Sequence, residues 1–306
     1  MGEIMFRKIN ASVVTALCCT VAGVGLVGCE ESTAVDSKPS AATTPTAQDT
    51  DESVFSGTGK IDVEGMSVNV SCSGSAAEDG PVIVLLSGLG DGLDKMAAFQ
   101  KTLSEKNRVC SYDRLGEGAS DQPEGPQSFE STGEVLTAVL DRVAGDSPVV
   151  LAGHSLGGVI AARYATDHQD RVKGLVLLDA TSPTNVADVN KVIPESATGP
   201  GAELRTQALA IHEGQNPEQL VIPDGEVRSA GDIPVEVVQH GQPYLAAVPE
   251  YGPLLERTWA EGQRKWLAVS GDSRLSTAEK SGHYIHVDQP DVAAEAIERV
   301  TAQAAR

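Results

Sequence analysis

Positive charge is scarce in this chain. Against 43 aspartates and glutamates stand 23 lysines and arginines, a formal net charge of -20 at pH 7, and no basic patch interrupts the acidity. Such a surface repels phosphate backbones, which excludes nucleic acid as a partner; the acidity solubilises the chain and names no substrate. Metal patterns are missing too. None of the six histidines stands at ligand spacing from acids or cysteines, so no metal and no other cofactor is implied. No internal repeat is visible, which removes the stacked-repeat architectures. Aromatic residues make up 4% of the chain. Cysteines number five, and three of them, Cys18, Cys19 and Cys29, lie at the extreme N-terminus.

That N-terminus differs from the rest. Arg7 and Lys8 precede an uncharged apolar run from Ala11 to Gly28, after which the chain turns abruptly to CEESTAVDS. Residues 1–28 therefore read as a secretory signal. The run sits at the lower edge of what spans a bilayer, but Gly23, Gly25 and Gly28 make its end small and flexible, as processing requires. Leu26-Val27-Gly28-Cys29 resembles the bacterial lipoprotein cleavage box. That resemblance implies a lipid on Cys29 and anchoring to the cell membrane on its extracytoplasmic side, with ordinary secretion or an intact anchor as alternatives. Residues 29–53, rich in Ser, Thr, Ala and Pro, offer nothing to bury and read as a disordered tether. Residues 54–306 remain as one domain. It keeps only Cys72 and Cys110, both in strand-like segments. An even pair outside the cytoplasm suggests a disulfide, against two buried thiols.

Within the domain, GTGKIDVEG and MSVNVSCSG read as an opening hairpin and PVIVLLSG as a strand buried on both faces. Helix-like and strand-like stretches then alternate: DKMAAFQKTLSEKN, RVCSYDR, FESTGEVLTAVLDRVAG, SPVVLAGHS, LGGVIAARYATDHQD and VKGLVLLDA. Alternation of this kind predicts an α/β fold with a mostly parallel sheet flanked by helices and the site at the carboxyl ends of its strands. From about 181 to 232 the pattern breaks into Pro-, Gly- and Asn-punctuated pieces, consistent with a small lid. Regularity returns with the strand IPVEVVQHG, the helix PEYGPLLERTWAEGQRKWLAVS, a last strand near SRLSTAEKSG and the helix PDVAAEAIERVTAQ.

Gly153-His154-Ser155-Leu156-Gly157 has the form GxSxG with a strand before it and a helix after, the context of a nucleophile elbow. Together with SGLGDG after the strand VIVLLSG and YDRLGEGASD from Tyr112 to Asp121, it makes the chain resemble the α/β-hydrolase superfamily from Gly57 onward. The resemblance implies Ser155 as nucleophile and the backbone N–H groups of Leu89 and Leu156 as oxyanion hole. Ser87 stands where the family usually has histidine. Asp113 and Arg114 read as holding their own loop. The chain order serine, acid, histidine selects His283, placed at the close of the last strand, with His286 as rival; His168, His212 and His240 lack such a context. Most relatives carry the acid after the strand that follows the lid, where this chain has none. Glu236 lies inside that strand, Asp272 at the wrong end of the sheet, and Glu279 on the last strand itself. Asp179 ends GLVLLD, the strand after the nucleophile's helix, and is the assigned acid.

This trio implies a serine hydrolase acting on small carboxylic esters through an acyl-enzyme, without a cofactor. An aminopeptidase-like hydrolase, an acyltransferase and a non-catalytic binding protein on the same fold are the alternatives.

Overall fold

The structure is a computed structural model describing residues 54–76 and 80–306. The signal expected over 1–28, the tether expected over 29–53 and the expected lipidation site Cys29 lie outside the described residues.

Eight strands form one sheet: β1 (Gly57–Val63), β2 (Met66–Ser73), β3 (Val82–Leu86), β4 (Val109–Tyr112), β5 (Val149–His154), β6 (Val172–Leu178), β7 (Pro234–His240) and β8 (Asp272–Ala278). Their order is β1-β2-β4-β3-β5-β6-β7-β8. The β1–β2 hairpin is antiparallel and β2 pairs antiparallel with β4, whereas every pair from β4 to β8 is parallel. Parallel pairing aligns the carboxyl ends of β3, β5, β6, β7 and β8 along one edge, where open α/β sheets hold their ligands.

The apolar strands bury both faces by simple alternation. Val82, Val84 and Leu86 of β3, and Val149 and Leu151 of β5, belong to one cluster. Ile83, Leu85, Val150 and Ala152 belong to the other. Side chains in a strand point to opposite faces with period two, so runs such as VIVLL need a cover on each side. On the first face lie α2 (Phe129–Ala144) and α3 (Leu156–Asp167), through residues such as Leu136, Leu140 and Ile160. On the second lie α1 (Ala97–Leu103) and α8 (Pro290–Ala304), through Phe99, Leu103, Ile297 and Val300. Ser128 opens α2 with a capping box closed by Ser131, which satisfies two N–H groups that helix geometry leaves unpaired.

The segment expected as a lid contains α4 (Asn185–Val192) and α5 (Gly199–His212). Val192 and Ile193 pack with Leu255 of α6 (Gly252–Lys265) in a small separate cluster. The helix expected over DKMAAFQKTLSEKN is shorter: a single 3-10 turn, Leu93–Lys95, precedes α1. The last strand ends at Ala278, so Glu279 follows it rather than lying on it, and His283 stands in a loop before the short helix α7 (Ile285–Asp288). No helix among the described residues is long and apolar enough to cross a membrane.

Cys72 and Cys110 are disulfide-bonded between directly paired positions of β2 and β4, with Cα atoms 4.1 Å apart. The bond closes a loop of 38 residues in sequence separation and so removes conformations from the unfolded chain. The double substitution Cys72→Ala/Cys110→Ala is expected to cost about 2–4 kcal/mol, read from the denaturant midpoint. An unchanged midpoint would contradict this role.

Candidate active site

Ser155 joins β5 directly to α3, with φ 51 and ψ −119. A non-glycine residue at positive φ is strained, typically by about 1–3 kcal/mol, and persists where its surroundings hold it. Here the Ser155 N–H donates to Leu178 O at 3.2 Å, and its carbonyl accepts from Gly158 N at 3.1 Å and Thr181 N at 3.2 Å. The flanking glycines are a steric requirement. A Cβ at Gly153 would come within 3.0 Å of the Gly157 backbone, and one at Gly157 equally close to the carbonyls of Leu86 and Ser87. The end of β3, the end of β5 and the first turn of α3 thus crowd together around the serine.

Asp179 follows β6, is fully buried and also adopts positive φ, at 45. Four hydrogen bonds meet its carboxylate. Oδ2 accepts from His283 Nδ1 at 2.7 Å. Oδ1 accepts from His240 Nδ1 at 2.8 Å, Trp259 Nε1 at 2.9 Å and the His240 backbone N–H at 3.2 Å. Burial by itself would raise the pKa of this group, yet the hydrogen bonds and charges of His240 and His283 hold it at about 2. Asp179 is therefore an ionised carboxylate throughout the neutral range.

Helix α6 is the clamp on this region. Glu256, Trp259 and Gln263, with Trp266 just beyond the helix, recur at the three- and four-residue spacing of one helical face. Trp259 binds Asp179, Gln263 Nε2 donates to Ala180 O at 2.7 Å, and Trp266 Nε1 donates to Thr181 O at 3.1 Å. Three consecutive residues after β6 are thus pinned by one helical stripe.

His283 is 4% exposed. Its Nδ1–H points to Asp179, which leaves Nε2 as the acceptor nitrogen; Nε2 has no hydrogen-bond partner among the described residues. The His283 carbonyl accepts from His154 Nε2 at 3.0 Å. Ser155 Oγ lies 3.4 Å from Thr181 Oγ1. His286, the rival base, packs its ring near Phe99 and His154 and uses neither nitrogen in a hydrogen bond among the described residues.

Ser87 answers for the missing family histidine: its hydroxyl donates to Asp91 O at 2.7 Å and closes the turn locally. Arg114 reaches that turn as well, donating to Ser87 O at 2.8 Å and Gly88 O at 3.0 Å while gripping both oxygens of Glu218 at 2.8 and 2.7 Å. Because the Gly88–Leu89 peptide is planar and trans, pinning its carbonyl to Arg114 directs the Leu89 N–H the opposite way. Arg114 thus does more than hold its own loop, and Glu218 binds the 181–232 segment to the turn. Glu117 joins this cluster by accepting from Gly90 N at 2.7 Å; burial, then the charge of Glu218, lifts its pKa to about 7. Leu156 is the first residue of α3, where N–H groups have no partner within the helix.

Ser155 and Asp179 follow the neighbouring strands β5 and β6, and His283, in the loop after β8, joins Asp179 through its 2.7 Å hydrogen bond; no hydrogen bond links His283 to Ser155 among the described residues. Glu279 stays exposed, Glu236 pairs with Arg299 at 3.2 Å, and Asp272 opens β8 at the opposite edge. His240, which lacked context in the sequence, and Glu256 and Trp259, which carried no signal there, meet at Asp179 and its partners. A cavity of about 600 Å³ lined by Phe129, Arg163, Tyr164, Arg228 and Trp266 includes neither Ser155 nor His283. The chemistry of these groups points to the strand ends, not to that cavity. Among the described residues no cluster of three or more His, Cys, Asp or Glu could hold a metal.

Comparison with known proteins agrees with this architecture. Residues 81–214 match the family model described as alpha/beta hydrolase fold. The chain is 25% identical to a human (lyso)-N-acylphosphatidylethanolamine lipase, covering 71% of this chain and 78% of that one. It is 30% identical to a putative carbamate hydrolase of Azorhizobium caulinodans over 44% of this chain and 51% of the other. The crystal structure of an enol-lactonase from Burkholderia xenovorans superposes with a TM-score of 0.55 at 20% identity, over 80% of this chain and all of that one; at that identity the likeness concerns the fold alone. The chain has the α/β-hydrolase fold, and its residues 81–214 match the model of that family.

His286 generates a test of the packing around the site. Burial, then the charge of His283, depresses its pKa to about 4, below the ordinary value near 6.5. Between those values the unfolded chain binds the proton and the folded one does not, so stability is lost as pH falls from about 6.5 to about 4. His286→Leu should flatten the decline of Tm across that window; a curve parallel to the wild type would contradict the assignment.

Proposed function

We propose that this chain is a serine hydrolase of small carboxylic esters, working through an acyl-enzyme on Ser155. The observation that carries the reading is the 2.7 Å bond from His283 Nδ1 to Asp179 Oδ2, at the end of the strand next to the one that carries the strained Ser155. With Nδ1–H committed to the carboxylate, the Nε2 lone pair is available to take the Ser155 proton as Oγ attacks the ester carbonyl carbon. The carbonyl oxygen becomes an oxyanion, for which the Leu89 and Leu156 N–H groups are the assigned donors. The imidazolium returns its proton to the departing alcohol, and water repeats the cycle on the acyl-serine, with Nε2 as base. Asp179, ionised and unable to leave its four donors, holds the tautomer throughout. Relatives named as a lipase and a putative carbamate hydrolase support hydrolysis as the reaction class.

The same proposal places the enzyme outside the cytoplasm, tethered by a lipid on Cys29, on the strength of Leu26-Val27-Gly28-Cys29 and the apolar run before it. A Cys29→Ala protein that is still processed and still membrane-bound would rule that out.

The reaction is tested by hydrolysis of short-chain p-nitrophenyl esters. Wild type is expected to turn over, and Ser155→Ala to lose about 10⁴-fold or more in kcat. Undiminished turnover in Ser155→Ala would refute the mechanism.

A further inference from the structure

His240 carries more hydrogen-bonding to carboxylates than a neutral imidazole can make. It is the last residue of β7, and the pairing of Leu178 with Val238 sets the ends of β6 and β7 side by side. Its Nδ1 is 2.8 Å from Asp179 Oδ1 and its Nε2 is 2.9 Å from Glu256 Oε2. Both carboxylates act as acceptors toward their other partners. Asp179 accepts from His283 and Trp259, and Glu256 Oε1 accepts from the backbone N–H groups of Leu245 and Ala246. With both carboxylates ionised, each can only accept, so each nitrogen of His240 bears a proton, and an imidazole with two N–H groups is a cation.

We propose that His240 is a positioning residue for the reaction, a fixed imidazolium held between Asp179 and Glu256 that partly neutralises Asp179 and thereby sets the pH at which His283 becomes a free base. The inference rests on the reading of His283 and Asp179 as base and acid. Its sign follows from charge. A cation on the far oxygen of Asp179 disfavours a second cation at His283, so His283 remains neutral and able to accept a proton at lower pH than it would beside Asp179 alone. The environment of His240 supports the cation: burial works against it, but hydrogen bonds and charge from Asp179 and Glu256 outweigh burial and raise its pKa to about 9.

The other groups packed around the pair do not supply this charge. Tyr244, whose ring meets His240 at 4.8 Å and whose hydroxyl is 3.5 Å from His283 Nδ1, is pushed up by burial and stays a neutral phenol. Trp259 donates to Asp179 as a neutral N–H. His154 and His286 are held neutral, chiefly by burial. Tyr284 packs its ring 5.5 Å from that of His283. Asp91, on the turn after β3, is raised by burial and feels the charge of His283. His240 is the cation on the acid's own oxygens.

The test compares the pH dependence of kcat/KM for p-nitrophenyl ester hydrolysis in the full chain, in His240→Gln and in Trp259→Phe. Both variants remove a donor from Asp179 Oδ1, but only the first removes a charge. His240→Gln should move the acid limb up by about one pH unit, a tenfold loss on the acid side, while Trp259→Phe lowers the rate with a smaller shift. Coincident acid limbs in His240→Gln and wild type, or an equal shift in Trp259→Phe, would overturn the proposal. Should His240→Gln fail to fold, nitrogen-15 histidine spectra of the wild type decide. Two protonated ring nitrogens on His240 at neutral pH are expected, and a single one would overturn it. Absence of Ser155-dependent hydrolysis in the wild type would instead sink the hydrolase reading, leaving the His240 spectrum as a separate result.

Discussion

A single buried carboxylate organises this site. Asp179 has no exposed surface, and an ionised carboxylate taken out of water is tolerated only where donors replace its hydration. The donors come from the ends of two other elements and the face of a helix: His283 from the loop after β8, His240 from β7, Trp259 from α6. Each is fixed in turn. Glu256 holds His240, His283 lends its carbonyl to His154, and Gln263 of α6 and Trp266 just beyond it continue along the chain to Ala180 and Thr181. Removing the charge would leave the donors around it without a common acceptor.

Two of the five non-glycine residues at positive φ among the described residues lie at the candidate site. Ser155 and Asp179 both adopt positive φ without being glycine, at the ends of the adjacent strands β5 and β6. The two are coupled through backbone: Ser155 N binds Leu178 O, and Thr181 N binds Ser155 O. The proposed nucleophile and acid are consequently set by one local geometry, while the proposed oxyanion turn is set by another, in which Arg114 and Glu218 orient the Gly88–Leu89 peptide. Preorganisation of this kind places charge-stabilising groups before the reaction needs them.

The strands and helices were legible because their signals are local. Period-two burial, short apolar runs and a serine between glycines can be read within about ten residues. The position of Asp179 was legible by strand order, since an acid ending a parallel strand of this sheet shares an edge with Ser155. His240 was not. One histidine at a strand end has no sequence signature, and its meaning comes from Glu256 and Asp179, 16 residues downstream and 61 upstream. Trp259 and Glu256 lie on a helix whose polar stripe reads as an ordinary amphipathic pattern until its partners are known. Glu279 was misplaced by the length of β8: the strand stops one residue earlier and the side chain turns to solvent. His283 emerged from chain order, although it sits in a loop and not at the strand's close.

The claim that Asp179 makes Ser155 reactive is tested most directly by the rate at which a serine-directed phosphonate attaches to Ser155, followed by mass in wild type, Asp179→Asn and Glu279→Gln. The account predicts rapid labelling of wild type and Glu279→Gln, and labelling of Asp179→Asn slower by about 10³–10⁴-fold because the imidazole loses its tautomer. Equal rates in Asp179→Asn and wild type would contradict it and move the acid elsewhere.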